Sequence, residues 1–275
     1  MRLDALFKQP QALPTVPKIV QELIESFNQE DISIEQVARK LAADPVLSAR
    51  MLRLANSAYY HVSRSIGTVD DAMAMLGFVT VRTLVISSGL TSGFKNMPGI
   101  DLARFWKYSL NTAAVARWLA KHVHANGDLA FTVGLMHGIG ELVMHAGMPE
   151  SMLQIDKIAA PTDPRRPDIE HASFGYDFSV VGAELARQWK FPPAFSEAIA
   201  GFVHPLDRTP FDHMAGIVHL AAWRARAEDN KLDRNELAAT VPEAVCAKLG
   251  IAPDTLLNDM PPLAELSAGL EEMIT

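Results

Sequence analysis

Apolar residues recur at three- and four-residue intervals along almost the whole chain, and no run alternates apolar with polar for long enough to make a convincing strand. That periodicity restricts the chain to an all-α fold, and the segments are punctuated as helices are. In "ADPVLSARMLRLAN" (residues 43–56) Asp44 stands as N-cap and Pro45 as first helical residue. Val46, Leu47, Met51, Leu52 and Leu54 make one stripe expected to be buried. Thr68 is placed to cap "VDDAMAML", and a second apolar helix follows Gly77 as "FVTVRTLVISSGL". Near the N-terminus, Pro17 opens a helix to about Phe27, and "SIEQ" at 33–36 reads as a capping box of Ser33 and Gln36.

"GFKNMPGID" (93–101) gathers Gly, Pro and Asn and is the clearest internal boundary. Beyond it, long helices are expected at about 101–122 and 128–146, then shorter ones from Asp177, over 194–203 and over 212–228. "APTDPRRPD" (160–168) is a charged, Pro-rich loop. The last 45 or so residues are helical pieces cut by Pro242, Pro253, Pro261 and Pro262. This gives an N-terminal helical lobe over 1–95, a helical core over 96–228 and a C-terminal helical tail over 229–275.

At 49% hydrophobic and 21% charged, the 275 residues can build a sizeable core and are not those of a disordered chain. The lone Cys246 has no intrachain partner, which fits a reducing compartment. The N-terminus lacks a signal-peptide core, and the most apolar region, 72–90, carries Arg82 and periodic polar positions, so it reads as core rather than membrane span. A cytoplasmic protein with no membrane contact is expected. The net charge of −7 is uneven, +1 over residues 1–95 and −8 beyond them, and an acidic chain argues against general nucleic-acid binding. The N-terminal part does hold Arg39, Lys40, Arg50, Arg53, Arg64 and Arg82. Arg50 and Arg53 share a helix face and form a candidate contact for a partner or a small anionic ligand, although a solvated face has the same pattern.

The chemistry-bearing residues are sparse. "GLMHGIGELVMH" (134–145) reads as a buried helix with His137, Glu141 and His145 spaced four and four. Imidazole and carboxylate on one stripe can ligate a metal, but His137 and His145 stand about 12 Å apart along such a helix, too far for one ion. Histidines satisfied by ordinary hydrogen bonds are the alternative. His122 and His124 point to different faces near a helix end, His204 closes a helix, and His213 and His219 share a face poorly. Cys246 has no neighbouring histidine and reads as a small core residue, and no serine sits in a strand–turn–helix elbow.

The stretches "ALPTVPKIVQELI", "LAADPVLSARMLRLANSAYY" and "IGTVDDAMAMLGFVTVRTLVIS", followed by "FWKYSL", "GLMHGIGELVM", "VVGAELARQWKFP" and "FVHP", resemble the HDOD family, the HD-related output domain of bacterial signalling proteins. The resemblance spans residues 12 to about 225. It implies an HD-like helical core with an added N-terminal helical lobe. It also implies a regulatory rather than catalytic module, associated with cyclic-di-GMP signalling or phosphorelays.

Set against HD hydrolases, the resemblance places Tyr108 where the first metal-binding histidine stands. It retains His137 but puts Gly138 in place of the aspartate that follows it, and it matches Phe178 and Ala222 to further lost ligands. In "FVHP" a histidine pair is reduced to Val203 and His204. The implied reading is a degenerate site with no cofactor, no metal and no catalytic residue, of which Tyr108, His137 and His204 are the vestige. Gly138 and Gly140 suggest close helix packing there. The partners expected are bacterial signalling proteins acting in trans, because no receiver, GGDEF or EAL module lies within these residues. A divergent metal-dependent phosphohydrolase using His137, Glu141 and His204, and a nucleotide- or nucleic-acid-binding regulator using the basic helix, are the alternatives.

Overall fold

The computed structural model describes residues 1–9, 12–13, 18–25, 34–57, 60, 62, 65–94 and 97–274. The proposed roles of Pro17, Ser33 and Arg64, and the end of the first long helix at Phe27, lie outside the described residues. Those described form α-helices with short 3-10 and π turns and no β-strand. In chain order they are α1 (Leu3–Leu6), α2 (Lys18–Glu25), α3 (Ile34–Ala42), α4 (Pro45–Ala55) and α5 (Val69–Gly93). There follow α6 (Leu102–His122), α7 (Gly127–Met136), α8 (Ile139–Gly147), α9 (Pro149–Asp156), α10 (Arg166–Phe174) and α11 (Phe178–Gln188). The last are α12 (Pro193–Gly201), α13 (His213–Asp229), α14 (Arg234–Ala239), α15 (Glu243–Leu249) and α16 (Leu263–Leu266).

The chain divides into two compact units. The larger comprises Met1–Leu13, Asn96–Gln188 and Pro193–Leu266; the smaller comprises Pro14–Lys95, Trp189–Pro192 and Ser267–Thr275. The three-way division at 95 and 228 therefore differs from these units in four places. The first residues join the larger unit, Trp189–Pro192 joins the smaller one, the tail to Leu266 packs into the larger unit, and the last residues return to the smaller one. The reason is apolar burial: Val245, Cys246 and Leu249 of α15 close over Ile217, Leu220 and Ala221 of α13 and Val115 and Leu119 of α6. Cys246 is fully buried there.

In the smaller unit, α2, α3 and α4 pack on α5. The Asp44 carboxylate accepts from the N–H groups of Val46 and Leu47, and Thr68 caps α5 through Asp71. Gly77, at φ 77°, ψ 156°, breaks α5 into two helical stretches, a left-handed conformation that glycine adopts without a Cβ clash. The expected stripe of α4 needs one correction. Leu47, Met51 and Leu54 are buried, but Val46 is 59% exposed, on the helix face it shares with Arg50 and Arg53. Arg50 and Arg53 also part company. Arg50 is half-buried and donates to Ser88 Oγ of α5 at 2.7 Å, while Arg53 is exposed.

In the larger unit, α6 packs along α7 and α13, and α11 packs against α8 and α12. The crossings are close because small residues meet backbone. A Cβ on Gly134 would sit 2.9 Å from Ala113 Cα, and one on Gly140 would sit 1.9 Å from the Phe178 carbonyl oxygen. The expected single helix over 128–146 is instead two, α7 and α8, turning at His137 and Gly138. Two stretches, Val69–Gly93 and Gly127–Gly147, have the length and apolarity of membrane spans, and 61% and 89% of their most apolar windows are buried within the fold.

Gly138 does not share the packing role expected for both glycines: a Cβ there would meet only the Phe105 ring, at 3.4 Å. Gly140→Ala should therefore destabilise the protein by about 3 kcal/mol, through overpacking against backbone that cannot yield, whereas Gly138→Ala should change stability by less than about 1 kcal/mol. Urea denaturation of both variants checks the contrast, and equal effects would contradict it.

Candidate functional site

The larger unit encloses a cavity of about 260 Å³. Two helices, a helix–helix turn and a loop build most of its wall, and the spacing along the helices explains why these side chains meet. On α6, Arg104 and Phe105 each lie about one turn from Tyr108. On α13, His219, Ala222 and Arg226 follow a three-and-four spacing. The turn between α7 and α8 contributes His137 and Gly138, and the Pro-rich loop contributes Pro161, Asp163 and Pro164. Phe178 and Phe202 complete an aromatic wall.

The His137 ring is buried between Tyr108 and Phe202, at centroid distances of 5.1 and 5.2 Å. Its Nδ1–H donates to the Gly134 carbonyl at 2.6 Å, which leaves Nε2 as the lone-pair nitrogen. Burial lowers its pKa to about 4, opposed by the Gly134 carbonyl and aided by the nearby Arg226 charge. Burial likewise lowers the pKa of His219, whose Nδ1–H donates to the Phe202 carbonyl at 2.8 Å. Burial pushes the Tyr108 hydroxyl up.

Behind this wall lies a buried charge network. Arg166, fully buried, donates from Nε to Glu170 Oε1 at 2.8 Å and from Nη1 to Asp156 Oδ1 at 2.8 Å and the Ala159 carbonyl at 2.7 Å. Glu141 Oε1 lies 2.9 Å from the same Nε, but that N–H is directed at Glu170. The Glu141 contact is thus an ion pair without a hydrogen bond, and neither Glu141 oxygen has a hydrogen-bond partner. Burial, and then the charge of Glu170, hold the Glu141 carboxyl well above the usual range, with Arg166 opposing. Burial raises Glu170 too. His145 Nε2 lies 3.1 Å from Asp156 Oδ2, on the far side of Asp156 from the arginine contact.

The sequence-derived positions can now be located. Tyr108, His137, Gly138, Phe178, Val203 and Ala222, from five separate stretches of chain, all line the cavity. His204 does not: it is half-exposed and pairs with Asp168 at 3.1 Å. Following Val203 it faces the other way, so the vestigial grouping of Tyr108, His137 and His204 is corrected to one without His204. The second imidazole of the cavity is that of His219, of which its six-residue spacing from His213 gives no sign. Its spacing of three and seven from Ala222 and Arg226 was the signal that could have found it. The stripe of His137, Glu141 and His145 also separates: His137 faces the cavity, while His145 joins the Asp156 side of the network. Arg50 and Arg53 belong to the smaller unit.

A metal ion is tested by the donors present. Gly138, Phe178, Val203 and Ala222 offer no side-chain donor, the Glu141 carboxylate is paired with Arg166, and no group of three His, Cys, Asp or Glu side chains has ligating geometry among the described residues. The residues do not fit the closed ligand set of a divalent metal.

A sequence model of the HDOD domain matches residues 13–205. A curated protein of Treponema pallidum (strain Nichols), described as uncharacterized, is 24% identical over 213 residues, which cover 73% of this chain. The chain spans 39% of that relative's length. A crystal structure from Shewanella amazonensis SB2B, named as a candidate phosphohydrolase, shares 33% identity and a TM-score of 0.80 over 98% of each chain. An HDOD domain protein of unknown function from Geobacter sulfurreducens has a TM-score of 0.80 at 23% identity, covering 99% of this chain and 98% of its own. A candidate signal transduction protein of Marinobacter aquaeolei VT8 has a TM-score of 0.75 at 22% identity, covering all of this chain and 60% of its own. The last two show the fold alone.

The pKa of His137 makes a prediction about stability. Between pH 6.5 and 4 the unfolded chain binds a proton at this imidazole and the folded chain does not, so acidification costs the fold about 3 kcal/mol at this residue. The raised carboxyls of Glu141 and Glu170 act in the opposite sense, because the folded chain keeps their protons at higher pH than the unfolded chain does. His137→Gln removes only the first effect. The variant should gain on the parent by up to about 3 kcal/mol as pH falls from 6.5 to 4, read by urea denaturation. A difference between the two proteins that does not vary with pH would refute the assignment.

Proposed function

The chain belongs to the HDOD family, and on that premise we propose that it is a non-catalytic signal-transduction module that acts by binding a protein partner or a small ligand. The carrying observation is the composition of the cavity wall. Positions 108, 138, 178, 203 and 222 converge around His137 with Tyr, Gly, Phe, Val and Ala, none of which supplies the carboxylate or imidazole that a hydrolytic metal centre requires. The acids that line the wall are engaged elsewhere: Glu141 with Arg166, Asp163 with Arg165 and Asp101 as the cap of α6. Bacterial signalling proteins, with a link to cyclic-di-GMP signalling, are the partners this reading favours. The exposed Arg53 on α4 is its candidate contact, with Arg50 contributing only what its bond to Ser88 leaves available.

Hydrolysis is the competing reading. Its support is the name of the Shewanella amazonensis structure at 33% identity. It would rely on His137, His219 and Glu141, of which the last would first have to leave Arg166.

Turnover separates the two. Assayed on cyclic-di-GMP and bis(p-nitrophenyl) phosphate with Mg²⁺, Mn²⁺ or Zn²⁺, the protein should give the same background rate as its His137→Ala variant. Turnover that falls at least about a hundredfold in His137→Ala would establish a metal enzyme and overturn the regulatory reading.

A further inference from the structure

Around the cavity, each acidic group is matched to a group of the protein other than Arg226. Glu141 is paired with Arg166, Asp163 with Arg165 at 2.6 Å, and Asp101 caps the first turn of α6. Arg104 is also matched, forking onto Asp229 through Nε and Nη2 at 2.8–3.2 Å. Arg226 is different. It is half-buried in the wall, and its guanidinium makes no ion pair or hydrogen bond among the described residues. It lines the cavity, and its charge is close enough to act on Tyr108, His137, His219 and Asp163. A partly desolvated guanidinium beside an apolar wall is a ready partner for an anion, and carboxylate geometry suits its planar fork.

The other walls restrict the rest of the ligand. Phe105, Phe178 and Phe202 present aromatic surface. His137, with its proton fixed on Nδ1 by the Gly134 carbonyl, can only accept at Nε2, so a ligand must bring an O–H or N–H donor to it. The volume of about 260 Å³ falls just short of drug-sized sites, which run from about 300 to 1,000 Å³, and is far too small for a dinucleotide with two phosphates. One unmatched cation likewise suits one anionic group.

We propose that this cavity binds a small organic monoanion, its carboxylate on Arg226, its flat apolar body against the phenyl rings and a hydroxyl or N–H donor on His137 Nε2. The proposal rests on the regulatory reading and makes the cavity the sensory site of the module. It also accounts for the loss of metal donors without collapse of the cavity. Gly138 leaves space that a larger side chain would take, and the three phenyl rings line that space rather than filling it.

Calorimetric titration of the full chain with 4-hydroxybenzoate tests it, with 4-hydroxybenzamide and inorganic phosphate as controls. Saturable binding of 4-hydroxybenzoate is expected, weakened at least about tenfold in Arg226→Gln and by the same factor for 4-hydroxybenzamide on the parent protein. Gly138→Leu, which fills the cavity, should abolish binding while a cooperative thermal transition shows that it folds. Three results would overturn the proposal: no saturable binding at about 10 mM, equal affinity for the benzamide or for phosphate, or binding undiminished in Arg226→Gln. The benzamide and phosphate comparisons use the parent protein, so they decide the matter even if Arg226→Gln fails to fold. Failure here without turnover defeats this inference alone, whereas His137-dependent turnover defeats the regulatory reading beneath it.

Discussion

The larger unit is organised by one buried cation. Arg166 draws Glu141 from α8, Asp156 from the end of α9 and Glu170 from its own helix onto a single guanidinium, and Glu170 Oε2 in turn accepts the N–H of Phe178 at the start of α11. Four consecutive helices are thereby tied at one point. Such a network is worth little compared with an apolar core of equal volume, but removing its cation would leave buried carboxylates unmatched, at a cost of about 3–5 kcal/mol. Burial is the main reason that the Glu141 and Glu170 carboxyls are raised, with neighbouring carboxylates adding to it (Glu170 and Asp156 for Glu141, Asp177 for Glu170) and Arg166 opposing.

This arrangement bears directly on function. Glu141 stands at the cavity wall, within the group of carboxyls around Arg166, and a hydrolytic centre would need such acids for metal. Here Arg166 holds them, while the cavity face carries neutral His137, neutral His219 and aromatic rings. A largely aromatic wall with Arg226 as an unmatched charge supports the proposed role in recognition over one in activating water. Fold similarity to proteins named as candidate phosphohydrolases does not alter that, because the chemistry resides in particular side chains.

Helix positions were largely legible in the sequence because their signals are local: Asp44 and Pro45 at one start, Thr68 at another, and Gly77 at a break all act within four residues. The convergence of Tyr108, Gly138, Phe178 and Ala222 was legible only through resemblance to the HDOD family, since nothing local links residues so far apart. What escaped was tertiary. The turn at His137 and Gly138 divides an apolar run whose periodicity reads straight through. His204 faces outward because Val203 faces inward. Arg166 looks like one more charge in a Pro-rich loop until three helices close around it. Arg226 was overlooked because a charged residue late in an amphipathic helix is ordinarily solvated.

The central claim is that Arg166, and not a divalent ion, is the buried cation facing these carboxylates. The most direct measurement is the metal content per chain of protein purified without chelator, by elemental analysis. The account predicts metal far below one equivalent per chain, unchanged in His137→Ala. One or more equivalents of a transition metal per chain, lost in His137→Ala, would contradict it.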